Sequence, residues 1–362
     1  MVSTLRDIPA SAADSEEQRF PGHLERGVPF YFYKPYFYLK KTMSLTAAIL
    51  IFISVFMHVA WNMLSKSTRP STAFYIIMNF IGGIIWLPFF IESRASFTGL
   101  PSMFYILLGG SCFFEVIYMY GLAHGYKHAD ISLIYPVVRA LPVVLLAVIT
   151  LVFGIGKPFD MLTLGGMVMI AAGCFIMPFA SFRNISFRSL NTLAILFIAL
   201  GAMGTTGYTL CDSQALKLVS TGSGSLTRSA TLGYLFLIQM GLTLGEVPLI
   251  VFDRAEREAF RKLMSREVIY PVIAGVCSSG AYALILFAMQ YVTNVSFIQA
   301  FRQLSLPLGF VAGLIFLHEK SSAAKITGLL LILSGLVITT GVLHPVLAEI
   351  IQILRGFAGC MY

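Results

Sequence analysis

Two arginines stand in stretches that otherwise carry no charge: Arg139 in "IYPVVRALP" and Arg302 in "IQAFRQLSLP". A guanidinium in hydrocarbon costs roughly 3 kcal/mol even on lenient insertion scales, so each needs a physical reason. Its planar fork matches a carboxylate or phosphate, and an anionic or zwitterionic ligand between the two is one such reason. The other is a structural ion pair, with Glu115 as the natural partner of Arg139 if their helices are neighbours. The two readings are compatible if pair and ligand alternate.

Further polar side chains recur at helical spacing. Ser54, His58, Trp61, Asn62 and Ser65 form one set; Glu115 and Tyr118, then Tyr135 and Arg139, form two more. Thr205, Tyr208, Thr209 and Asp212 make a fourth, and Gln299, Arg302 and Gln303 a fifth. Residues three or four apart share a helix face. In a membrane such faces turn toward the bundle interior or a wet cavity. Arg139, Arg302, Tyr118, Tyr282, Trp61, Asn62, His58, Tyr135, Gln299 and Gln303 are therefore the candidate substrate-binding residues. His58 reads equally well as a histidine hydrogen-bonded between helices. Glu115 and Asp212 are candidates for proton or ion coupling, because an intramembrane carboxyl can carry a proton. Asp212, at a predicted helix end, has simple solvation as its alternative, and Glu246 reads as structural. No residue set has catalytic or metal-ligand spacing, and no cofactor is implied.

The elements that position these residues follow from composition. Of 362 residues, 57% are hydrophobic and 12% charged, where a soluble domain carries about 25%. The apolar residues come in blocks, and a spanning helix needs about 20 of them in succession. Ten segments qualify: 44–64, 71–91, 103–123, 131–152, 161–181, 190–211, 229–252, 268–289, 295–317 and 324–343. The fold class is an all-α polytopic membrane protein, since a helix satisfies its own backbone in lipid. About nine residues into its span, Arg139 lies roughly 12 Å deep, too deep to snorkel comfortably.

The net charge of +8 fits Lys and Arg gathered in loops and at headgroups, with membrane lipid and a small molecule as partners and no nucleic acid. The five cysteines show no CxxC or zinc spacing and read as small packing residues. Residues 1–43 form a polar tail, expected to be disordered, closing on the interfacial segment "VPFYFYKPYFYLKK". Residues 344–362 read as a short interfacial tail.

The region between carries an internal repeat, 44–182 against 189–343. "ADISLIYPVVRALP" matches "TNVSFIQAFRQLSLP": Asp130 falls on Asn294, Ser132 on Ser296 and, after one gap, Arg139 on Arg302. Phe153 then falls on Phe316, Lys157 on Lys320 and, reading backwards, Tyr118 on Tyr282. Five spans per half force the halves to insert in opposite senses, giving a 5+5 inverted repeat. In such transporters the substrate site lies near the midplane between halves. Glycines at 165, 166 and 173, and at 328, 335 and 341, suit close helix approach, within the monomer or in a homodimer.

Ten spans, this repeat and "FLHEKSS" closing the ninth span resemble the EamA family of the drug/metabolite transporter superfamily. "HVAWNMLSK" (58–66) and "GYTLCDSQALK" (207–217) resemble first- and sixth-helix signatures of one EamA branch. The first half departs from the pattern, with Gly156 where an acidic residue is expected. The resemblance implies secondary transport, and a cavity lined by the first, third, fourth, sixth, eighth and ninth helices. Together these readings favour an alternating-access transporter of a small polar metabolite (amino-acid-like, organic anion or zwitterion) in the cytoplasmic membrane, with both termini on one side. The alternatives are a membrane scaffold or receptor without transport and, last, an intramembrane enzyme. Against an enzyme, "HEK" at 318–320 lacks the second His of HExxH, Ser322 standing there, and no G-x-S-x-G occurs. Orientation is read two ways. Lys and Arg concentrate in the odd-numbered loops, above all 253–267, which places the termini outside; characterised relatives have theirs in the cytoplasm.

Overall fold

A computed structural model describes residues 43–67, 71–128, 131–177, 179, 192–224, 226–316 and 321–339. The tails read at 1–42 and 344–362, and the "HEK" of 318–320, lie outside the described residues. The described chain is all-α. Its helices are α1 (Leu45–Ser67), α2 (Thr72–Ile84), α3 (Leu87–Ser93), α4 (Ser102–His128), α5 (Ile131–Val152), α6 (Met161–Ile176) and α7 (Thr192–Ser223). They continue with α8 (Arg228–Phe252), α9 (Arg254–Lys262), α10 (Ile269–Met289), α11 (Ser296–Phe301), α12 (Ser305–Phe316) and α13 (Ala323–Thr339).

Five of these, α1, α4, α7, α8 and α10, are long and apolar enough to cross a membrane. The pair Thr72–Ile84 and Leu87–Phe97, bent by 47°, makes a sixth span if taken together. Large apolar side chains cover the outside: Leu45 is 71% exposed, Ile106 65% and Phe113 61%. Polar and charged ones, including His58, Glu115, Arg139, Asp212 and Glu246, are buried. A soluble protein would reverse this arrangement; lipid as solvent explains it. The chain is a multi-span membrane protein.

Two predicted spans are broken rather than continuous. The 71–91 segment bends after Ile84 because Pro88 opens α3, and a proline lacks the N–H that Ile84 O would receive from it and crowds that carbonyl. The 295–317 segment changes at Arg302–Leu304 into a 3-10 turn between α11 and α12. Pro307 has no N–H for the carbonyl four residues earlier, which lies in that turn. Arg302 O accepts from Ser305 Oγ at 2.9 Å and from Arg139 Nη2 at 3.0 Å. In contrast, α5 runs unbroken through Pro136 and Pro142.

Packing is dominated by α4 against α7, α6 against α13 and α1 against α10, with α2 wedged between α8 and α10. Glycine sets how closely α6 and α13 approach. A Cβ on Gly173 would lie 2.6 Å from Gly328 O, and one on Gly335 2.6 Å from Gly166 O. Gly165 faces open space and takes no part. Gly156 has φ +82°, and a Cβ there would lie 2.8 Å from Thr293 O. The Gly that departs from the acidic pattern is thus required by its backbone and by this close approach. Asn294 secures the same corner. Its Nδ2 donates to Ile155 O at 3.1 Å and Lys157 O at 3.3 Å, while Oδ1 accepts from Ser296 N at 2.9 Å at the start of α11.

Candidate functional site

A narrow cavity runs between α1, α2, α4, α7, α8, α10 and the Arg302 turn. The polar helix faces converge here because hydrocarbon leaves them nowhere else to be satisfied. Of the candidates read from the sequence, His58, Trp61, Glu115, Tyr118, Tyr282 and Arg302 line it. Three tyrosines make one wall: the Tyr118 and Tyr208 rings meet edge-on at 6.0 Å, and Tyr208 and Tyr282 at 5.8 Å. Arg302 Nη1 donates to Tyr208 Oη at 3.2 Å.

Arg139 is placed differently. It is buried and outside the cavity lining. Its Nε donates to Gln303 Oε1 at 3.3 Å, Nη2 to Arg302 O, and Nη1 meets His58 Nε2. The expected Glu115 partner is not realised: among the described residues the only ion pairs, Arg254–Glu258 and Lys262–Glu267, are on the segment around α9. The reason is geometric, for Arg139 reaches from α5 toward α1 and the broken ninth segment, while Glu115 faces the cavity from α4. Besides the expected helices, α2 and α8 contribute to the wall, while the side chains of 131–137 of α5 lie outside the described residues.

His58 sits between two donors, Arg139 Nη1 and Trp61 Nε1, the latter 3.1 Å from His58 Nδ1. A neutral imidazole has one acceptor nitrogen, so it can satisfy one of them at a time. Asn62 turns back along its own helix, donating to His58 O at 2.7 Å. Gln303 Nε2 likewise donates to Gln299 O at 3.0 Å, and both glutamines are buried behind the cavity. The side chain of Tyr135 lies outside the described residues.

Asp212 corrects its reading as a solvated helix-end residue. It is fully buried within the long α7, accepting from Ser111 Oγ at 2.5 Å, Tyr234 Oη at 2.8 Å and Tyr282 Oη. Three hydroxyl donors satisfy a carboxylate well in a dry site. Glu115 has the opposite situation. Neither carboxyl oxygen has a hydrogen-bond partner among the described residues, and Oε2 is completely buried. Asp212, Glu246 and Arg302 are the charged groups that act on it. Glu246, itself buried, accepts from Asn79 Nδ2 at 3.0 Å.

Asn79 and Gln239 also line the cavity, and both escaped the sequence reading. Each is a lone amide in an apolar helix, in "IIMNFIGG" and "FLIQMGL". The same depth argument that selected Arg139 would have found them. Among the described residues no group of three or more His, Cys, Asp or Glu could hold a metal ion.

A second, wider cleft is lined by Lys217, Ser213, Gln290 and Thr293.

No protein-family model and no curated protein matches the chain. A solved structure described only as "Crystal structure of protein" superposes with a TM-score of 0.55 over 82% of this chain and 97% of its own, at 16% identity. At that identity the likeness bears on the fold alone.

Proposed function

We propose that the chain is a secondary transporter of the EamA type, moving a small polar metabolite across the cytoplasmic membrane by alternating access. The observation that carries this reading is the polar cavity itself, enclosed in a bundle coated with apolar side chains. Its residues come from near the midpoints of their helices: His58 in α1, Glu115 in α4, Gln239 in α8 and Tyr282 in α10. A site near the midplane between two halves is the arrangement that alternating access requires.

A ten-span, five-plus-five inverted architecture is part of the proposal, and the packing supports it. Under that repeat α1 corresponds to α7, and α4 to α10. The α1–α10 and α4–α7 contacts are then one contact made twice, as are α2–α10 and α8–α4. The α2–α8 and α6–α13 contacts each join corresponding helices. No nucleotide-binding motif occurs in the sequence, so a gradient would supply the energy.

The test compares metabolites inside and outside cells expressing the wild type with cells expressing Arg302→Gln at equal membrane abundance. A compound redistributed by the wild type and not by the variant supports the reading. No redistribution by the wild type favours the scaffold alternative. A reporter fused within 253–267 decides between the two orientations.

A further inference from the structure

We propose that the cavity is built for a small zwitterion, its anionic group held by Arg302 and Tyr208 and its ammonium by Glu115. This rests on the transport reading of the same cavity and narrows its substrate class.

The cavity holds one basic and one acidic side chain that do not pair with each other directly. Arg302 and Glu115 both line it, and no carboxylate lies within 4.0 Å of the guanidinium among the described residues. Arg302 is anchored at one end only, through Nη1 to Tyr208 Oη, which leaves the rest of the fork for a carboxylate. Glu115 is the complementary half. It is 7% exposed, and its Oε2 has no hydrogen-bond donor among the described residues. An ionised group out of water needs a donor or a counter-charge, and an ammonium supplies both.

The other acidic groups do not compete for the ligand. Asp212 is saturated by three hydroxyls, and Glu246, whose Oε2 accepts from Asn79 while Oε1 lacks a partner among the described residues, stands outside the lining. Charge balance then selects the ligand class. A monoanion would satisfy Arg302 and leave Glu115 facing a second negative charge. A monocation would do the reverse. A zwitterion is electroneutral and pairs with both, so each rejected class meets a repulsive group as well as a missing contact. The Trp61 and Tyr118 rings beside these charges offer faces to an ammonium, and the narrowness of the space favours a short molecule.

The experiment uses the full chain purified in detergent and reads ligand-induced thermal stabilisation, then exchange in proteoliposomes. The probes are the proteinogenic amino acids, β-alanine, γ-aminobutyrate, taurine and glycine betaine. Each α-amino acid that binds is matched to its deaminated carboxylate and its decarboxylated amine. The expected result is that a zwitterion binds about 10–100-fold tighter than either matched fragment. Glu115→Gln, nearly isosteric, should erase the preference over the carboxylate while Arg302→Gln erases binding of both. Equal affinity for zwitterion and carboxylate, no effect of Glu115→Gln in a folded variant, or no binding by any zwitterion overturns the inference. The transport reading fails separately. A zwitterion that binds with both dependences yet never exchanges across proteoliposomes would keep the site and remove the transporter, whereas Arg302-dependent exchange of an anion indifferent to Glu115→Gln would do the opposite.

Discussion

Arg139 and Arg302 fall on matching positions of the two sequence halves, and the molecule uses them in different ways. Arg139 rises from an unbroken helix and is buried across an interface, tying α5 to His58 of α1 and to the backbone of the broken ninth segment. Arg302 stands where that segment tightens into a 3-10 turn, and its guanidinium lines the cavity. Moreover, one arginine holds the other's backbone in place, through Arg302 O. The same residue type in two matching stretches thus takes different work, and the surrounding helix decides whether it becomes a strut or lines the cavity.

The largest effect should come from removing the strut. Arg139→Gln takes the donor from Gln303 Oε1 and one of two donors from Arg302 O in a dry interface, a loss of about 2–4 kcal/mol summed over the buried groups it served. Thermal unfolding in detergent should show a clear drop, and the folded fraction should keep its substrate preference. Arg302→Gln should instead unfold within about 1 kcal/mol of the wild type, since a cavity-facing group satisfies little structure, and lose recognition. If both variants lose stability equally, the comparison collapses.

Asp212→Asn tests the hydroxyl cluster behind the tyrosine wall. Replacing one acceptor oxygen by an amide opposite Tyr282 should cost about 1–3 kcal/mol, read as a lower melting temperature together with weaker ligand binding. Gly156→Ala comes next. A Cβ at positive φ and against Thr293 O should cost about 1–2 kcal/mol, without touching ligand affinity. The smallest effect is expected from Trp61→Phe, about 0.5–1.5 kcal/mol for one hydrogen bond to His58. Because that substitution frees the imidazole to accept from Arg139, the melting temperature should move least of all.

Much of the architecture was legible in the apolar blocks, because block length maps directly onto helix length in lipid. Each predicted segment holds a described helix, although α1, α4 and α7 run past their segments and α9 falls outside all of them, and Pro88 and Pro307, already visible in the sequence, account for the two breaks. Site residues were legible to the extent that polarity at depth reveals an inward face, which brought His58, Trp61, Glu115, Tyr118, Tyr282 and Arg302 to one cavity. What periodicity could not convey is which helices are neighbours. Pairing Glu115 with Arg139 assumed a juxtaposition that packing does not make. The solvation alternative for Asp212 fails because α7 continues to Ser223, beyond the end of its apolar block, so a residue read as terminal lies well inside the helix. Asn79 and Gln239 stood alone in their helices and formed no stripe.

One feature of the packing reaches back to synthesis. The principal partner of α1 is α10, and the chain just before α1 is pinned to the loop after α10, with Ser44 N donating to Tyr291 O at 3.2 Å. That partner leaves the ribosome some two hundred residues later, roughly 10–40 s at about 5–20 residues per second. For that interval the face bearing Ser54 and Met57 has no permanent neighbour from α10, so the first helix must be tolerated by the insertion machinery or by its early neighbours before its lasting place exists.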